Sequence, residues 1–149
     1  IYGYATDGFP IHGPYNAANV LAQSSWQTRD YDNINSTTGC DISGQRNCQL
    51  IDQYDISKGT KLSDAGPMTS EAISAINSSA TEKTFITTSG YYFEDYYHNA
   101  DLTASGGAFL DKHNGHNHHN YGYHYHLTVT DNNGTLEPVF PYSASPSDY

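Results

Sequence analysis

The chain is predicted to be mainly β, an antiparallel, sandwich-like arrangement of short strands with short helical insertions and long loops. Three observations predict this. The stretch "YGYHYHLTVT" sets aromatic and β-branched residues in alternation. Turn pairs such as Asp7-Gly8 and Ser89-Gly90 separate short extended runs. Only one segment carries a helical stripe, and it is short. At 149 residues the length suits a single domain with one core.

Taken in order, "IYGYATDGFPIHGPY" reads as a strand, an Asp7-Gly8 turn of the kind type I′ hairpins prefer, and a second extended segment. Pro10 and Pro14 place that second segment at a sheet edge or in an irregular hook, because proline donates nothing to a ladder. From Asn16 to Gly66 no periodicity emerges, and Val20, Leu21, Trp26, Leu50 and Ile51 are expected to pin loops to the core. "TSEAISAINSSA" is the expected helix, capped by Thr69 or Ser70, with Ala72, Ile73 and Ile76 as its apolar stripe. "KTFITTSGYYFEDYY" supplies two strands around Ser89-Gly90, and "YGYHYHLTVT" supplies the strongest.

Lys and Arg total 6 against 16 Asp and Glu, a formal net charge of -10. Nucleic-acid backbones and anionic membranes are repelled by such a surface, whereas cations are attracted. No apolar run approaches the roughly twenty residues needed to span a bilayer, so neither membrane insertion nor a nucleic-acid partner is expected. No serine sits in a GxSxG elbow and no glycine-rich phosphate loop is present, so no catalytic residue is assigned.

Cys40 and Cys48 enclose "DISGQRN", in which Gly44 suits a turn. A disulfide there would contribute about 2–3 kcal/mol by loop entropy; two separate thiols or a pair of metal ligands are the alternatives. Sequons at Asn35, Asn77 and Asn133 lie in polar surroundings. Together with a disulfide they point to an extracellular or cell-surface glycoprotein.

The stretch "NGHNHHNYGYHYHLTVT" holds most of the histidines. On an extended strand His124 and His126 share one face, their Cα atoms about 7 Å apart, while Tyr123, Tyr125 and Leu127 share the other. A third metal ligand is expected from His12, His113 or His116, preferred in that order, with Asp7 and Asp111 as oxygen donors. The ion would be divalent: imidazole favours copper or zinc, and calcium is the alternative at the acidic residues. The competing reading makes these histidines half-buried rings, each hydrogen-bonded to a carbonyl or carboxylate. His118 and His119 are expected to face solvent, and His98 to be a satisfied structural histidine. The 14 tyrosines suit a β-sheet surface, a protein interface or sugar stacking.

At "DGFPIHGP", "FEDYYHNADLTASGGAFLDKHNGH", "YGYHYHLTVT" and "VFPY", in that order, the chain resembles the YHYH-domain family of secreted and cell-surface proteins. The family is named for the tetrapeptide found here as Tyr123, His124, Tyr125 and His126, and the matching segments cover both ends and most of the second half. The resemblance implies a module without an established enzyme activity. Two departures add imidazoles: His12 stands where the family has an aromatic residue, and His113 where it has a cysteine, in a form like LDECNG. By the same resemblance, residues 1–149 form one YHYH-type domain lacking an amino-terminal part, and 16–89, which carries the cysteines, is an insertion.

A strand edge left open at Ile1 would recruit another strand. The combined expectation is a secreted, glycosylated, non-catalytic module that binds a metal ion through histidines and builds an extracellular fibre or adhesive layer. Its partners would be copies of itself, another chain of the assembly, or glycans. A metal-dependent, oxidative enzyme and a carbohydrate-binding module are the competing functions.

Overall fold

The computed structural model describes residues 1–40, 42–46, 66–76, 80–118 and 120–141. In chain order the strands are β1 (Gly3–Tyr4), β2 (Pro10–His12), β3 (Tyr15–Ala17), β4 (Val20–Leu21), β5 (Trp26–Thr28), β6 (Ala72–Ile76), β7 (Glu82–Ile86) and β8 (Tyr96–His98). The helix α1 (Ala100–Ser105) follows, then β9 (Gly115–Asn117), β10 (Tyr123–His126), β11 (Val129–Asn132) and β12 (Thr135–Pro138). The protein is mostly strands in several small sheets, with one short helix and a lone 3-10 turn at Phe93–Asp95 among the described residues, and no closed barrel. The largest sheet runs β1-β2-β10-β9; the pairs β3-β4, β5-β8, β6-β7 and β11-β12 stand as two-stranded sheets. No described helix is long and apolar enough to cross a membrane.

The chain divides into two compact units, Ile1–Trp26 with His98–Tyr149, and Gln27–Tyr97. The second overlaps the expected insertion 16–89 but starts and ends later.

In the first unit the β1-β2 hairpin forms where the sequence places it, with a different turn. Ala5 N donates to Phe9 O at 2.9 Å, Phe9 N donates to Asp7 Oδ1 at 3.2 Å, and Gly8 alone adopts a positive φ of 87°. This is a three-residue loop with glycine at the left-handed position, rather than type I′. The doubly positive turn occurs instead at Asn133-Gly134, φ 51° and 87°, joining β11 to β12. β2 is not an edge strand either: it lies between β1 and β10. Pro10 opens the strand, the one position where a missing N–H costs the ladder little. The helix α1 carries no signal read from the sequence; Asn99 caps it by accepting from Asp101 N at 3.1 Å.

Leu110, Ala22 and Trp26 are buried; Trp26 Nε1 donates to Lys112 O at 3.0 Å and its ring meets Phe140 edge-on at 5.4 Å. Of the other expected loop anchors Leu21 is half-buried and Val20 exposed, while Leu50 and Ile51 lie outside the described residues. His98 is structural, as expected. The Thr103 hydroxyl donates to Leu110 O, so it accepts from His98 Nε2, 3.0 Å away.

In the second unit the expected helix is a strand. β6 pairs antiparallel with β7 from Ala72 opposite Ile86 to Ile76 opposite Glu82. The apolar stripe at 72, 73 and 76 is too short to carry a helix alone, whereas Ile73 directly opposite Phe85 forms an aromatic and β-branched pair that a ladder rewards. The centre of this unit is polar. Arg46, 1% exposed, grips Asp95 with two hydrogen bonds, Nε to Oδ1 at 2.8 Å and Nη2 to Oδ2 at 3.1 Å. Its remaining N–H groups donate to the carbonyls of Pro67, Thr87 and Thr88, and its guanidinium lies over the rings of Tyr31 and Tyr92. Asp95 Oδ2 also accepts from the backbone N–H of Gly90 and Tyr92, so both ions are saturated. Cys40 is buried and has no free thiol; Cys48 lies outside the described residues. Sequon residues Asn35 and Asn133 are exposed, and Asn77 lies outside the described residues.

Candidate metal centre

Strand alternation sorts the YHYH tetrapeptide by chemistry. β10 is flanked by β2, parallel, with His126 opposite His12, and by β9, antiparallel, with His124 opposite His116. Residues opposite each other point to the same side of a sheet, so His12, His116, His124 and His126 project from one face. Tyr123 and Tyr125 project from the other.

On the histidine face, one ring nitrogen from each of His116, His124 and His126 lies within 4.8 Å of the others, close enough together to hold a metal ion. His124 and His126 are each 2% exposed. A ring nitrogen of each faces a carbonyl, His124 Nδ1 at 2.8 Å from Gly122 O and His126 Nδ1 at 2.6 Å from Gly13 O. A carbonyl only accepts, so both Nδ1 atoms carry the proton and both Nε2 atoms present lone pairs. This is the outer-sphere arrangement that orients histidine ligands in metal sites. Nε2 of His116 and of His126 are buried without a hydrogen-bond partner. Burial is the main cause, followed by the neighbouring imidazoles, of His116 and His126 being pushed down to about 4, so both rings are neutral at pH 7.

The third histidine of the cluster is therefore His116, the last of the three expected. His12 stacks on His124 with ring centroids 4.4 Å apart and an interplanar angle of 28°, and stands 5.8 Å from His126. His113 is outside the triad: its backbone N–H donates to Asp111 Oδ1, and its Nδ1 is buried without a partner. His118 is half-buried and stacks on His116 at 5.1 Å rather than facing solvent, and His119 lies outside the described residues.

Both acidic candidates serve the opposite face. Asp7 Oδ2 accepts a short hydrogen bond from the Tyr125 hydroxyl, the largest cause of its lowered pKa. Asp111 Oδ2 accepts from the Tyr123 hydroxyl at 2.7 Å, while its Oδ1 accepts from His113 N and Gly115 N. Burial, then that bond to Asp111, raises the Tyr123 pKa. Phe9 packs edge-on against both tyrosines, at 5.0 and 6.3 Å. Tyr123 reaches Asp111 by crossing Gly115: a Cβ there would lie 2.5 Å from the phenol oxygen. Asn114, fully buried at φ 65°, ties the turn to the histidine strand, its Nδ2 donating to His126 O at 2.8 Å.

A cavity of about 300 Å³ opens beside His116, walled by Phe109, Asp111, His118 and Tyr123. The sequence held no sign of the Gly13 and Gly122 carbonyls that set the tautomers. Comparison of this chain with protein-family models, with curated proteins and with solved structures found no match.

Proposed function

We propose that this protein is a metal-binding module whose His116, His124 and His126 hold one late first-row divalent cation, zinc or copper. The observation that carries the reading is the pair of buried, unpartnered Nε2 atoms on His116 and His126, in a triad where His124 and His126 already have their Nδ1 protons committed to carbonyls. A buried polar atom without a partner is costly, and a cation satisfies both while taking the His124 nitrogen as well. Neutral imidazoles suit zinc and copper and offer nothing to calcium, whose ligands are oxygens. Asp7 and Asp111, the acids considered for calcium, are engaged by tyrosines on the reverse face. Metal–nitrogen bonds of about 2.0–2.1 Å in a tetrahedron put nitrogens about 3.4 Å apart, so the rings draw together on binding.

Titration of untagged protein with zinc, copper(II) and calcium tests this. Zinc or copper is expected to bind with one tight equivalent that is lost in His124→Ala and His126→Ala, and calcium is expected not to compete. Equal binding by a His124→Ala/His126→Ala double variant would contradict it.

The remaining parts of the reading, a secreted glycoprotein related to the YHYH domains and built into an extracellular assembly, are supported by exposed sequon residues at Asn35 and Asn133 and by the absence of a free thiol at Cys40. β1 is an outer strand of the largest sheet, and Ile1, Tyr2 and Tyr4 beside and within it are more than two-thirds exposed. Such an edge suits strand addition by a second copy. Light scattering of native material, expected to show concentration-dependent assembly, tests it; a monodisperse monomer at all concentrations would overturn it.

A further inference from the structure

Resting on the metal-binding reading, we propose that the ion's fourth coordination position takes a small exogenous monoanion, and that His12 borders this position without ligating. The argument begins with charge. Three neutral imidazoles leave a divalent cation with its full charge, in a site where His124 and His126 are each 2% exposed. An uncompensated charge in such surroundings is expensive. Among the described residues, the cluster able to share an ion is His116, His124 and His126, with no carboxylate in it. The carboxylates of Asp7 and Asp111 are engaged by hydrogen bonds from Tyr125 and Tyr123, and neither belongs to the cluster. The counter-charge therefore comes from outside.

The same geometry places the anion. Asp111 lines the cavity beside His116 and repels an anion on that side. His12 lies at the other end of the cluster, half-buried, its ring nearly parallel to His124 at 4.4 Å. A stacked ring directs its nitrogens along the neighbouring ring plane rather than into the triad. His12 thus forms a wall of the fourth position, and Tyr121, 69% exposed with its ring 6.0 Å from that of His12, lies toward solvent. Hydroxide fills the position when nothing else is present, and azide or a small carboxylate displaces it. A neutral three-histidine ligand set with an exchangeable fourth ligand also lowers the pKa of bound water, toward about 7 in zinc sites of that composition.

Cobalt(II), whose visible absorption reports coordination, is the probe. The cobalt-loaded protein is expected to change its visible spectrum on addition of azide, saturating at one azide per cobalt. His12→Ala is expected to keep cobalt binding but to alter the azide affinity, because it removes a wall of the anion's position, while His126→Ala lowers cobalt affinity by about a hundredfold or more, beyond what loss of an outer-sphere partner causes. A cobalt-loaded protein whose spectrum azide leaves unchanged overturns the open position. A His12→Ala variant, folded by circular dichroism, that loses cobalt like His126→Ala makes His12 the fourth ligand and also overturns it. Failure of the wild-type protein to bind cobalt or zinc at all defeats the metal-binding reading itself.

Discussion

Two buried polar centres among the described residues are built on opposite terms. Around Arg46 and Asp95 the donors and acceptors are matched within the chain: a two-point ion pair, three carbonyls, two backbone N–H groups and two aromatic faces. Around His124 and His126 the chain fixes the rings through their Nδ1 atoms and leaves Nε2 of His126 and His116 buried with nothing to bind. A polar cluster that closes on itself holds the fold, whereas the converging unpartnered nitrogens are what support the proposed cation. Burial alone does not separate the two. The account of the hydrogen bonds does.

The largest expected effect lies in the closed centre. Arg46→Met leaves Asp95 charged and buried alone, and should destabilise by about 3–5 kcal/mol in denaturant unfolding. Arg46→Met combined with Asp95→Leu should cost clearly less than the single change, because no unpaired charge remains. A double variant as unstable as the single one would show that the packing matters there and the pairing does not.

Next comes the turn that carries the histidine sheet. Asn114→Ala loses a buried donor to His126 O and forces alanine into a left-handed conformation at φ 65°. Unfolding stability should fall by about 2–4 kcal/mol, and zinc affinity should fall with it.

Protons give a smaller effect with a defined sign. His116 and His126 are held down to about 4 in the folded protein, against 6.5 for an ordinary histidine. Between these values the unfolded chain binds protons that the folded chain does not, so metal-free protein should lose stability as pH falls from about 6.5 toward 4. Unfolding curves across that window should show the decline, and saturating zinc should delay its onset on acidification.

The smallest effect is the most telling for the open centre. His116→Leu removes an unsatisfied atom along with a ligand, so metal-free stability should change by less than about 1 kcal/mol while stabilisation by zinc disappears. A loss as large as that of Arg46→Met would mean that the triad is a closed structural cluster after all.

Half of the histidine cluster is legible in the sequence, and the physical reason is local. Period-two alternation puts His124 and His126 on one face whatever surrounds them. The third histidine of the cluster is not local: the choice of His116 over His12 depends on antiparallel register with β9, which follows from a turn held by Asn114 and Asp111. Asp7 and Asp111 look like ligands by proximity in sequence, but each is claimed by a tyrosine hydroxyl on the reverse face. The fold class follows from strand-forming composition, yet Ala72–Ile76 pairs as a strand where a short apolar stripe suggests helix, because Phe85 opposite Ile73 outweighs a weak local preference. The Arg46–Asp95 pair joins residues far apart in the chain and carries no motif.

The central claim is that His124 and His126 carry a proton on Nδ1, held by backbone carbonyls, and converge with His116 on a cation. Long-range nitrogen–proton correlation of the imidazoles, recorded without metal and with one equivalent of zinc, tests it most directly. His124 and His126 are expected in the Nδ1–H form before zinc. One ring nitrogen in each of His116, His124 and His126 should then shift on zinc addition, while His98 and His113 stay unchanged. Protonation of His124 or His126 on Nε2, or zinc-dependent shifts confined to His118 and His119, would contradict the account.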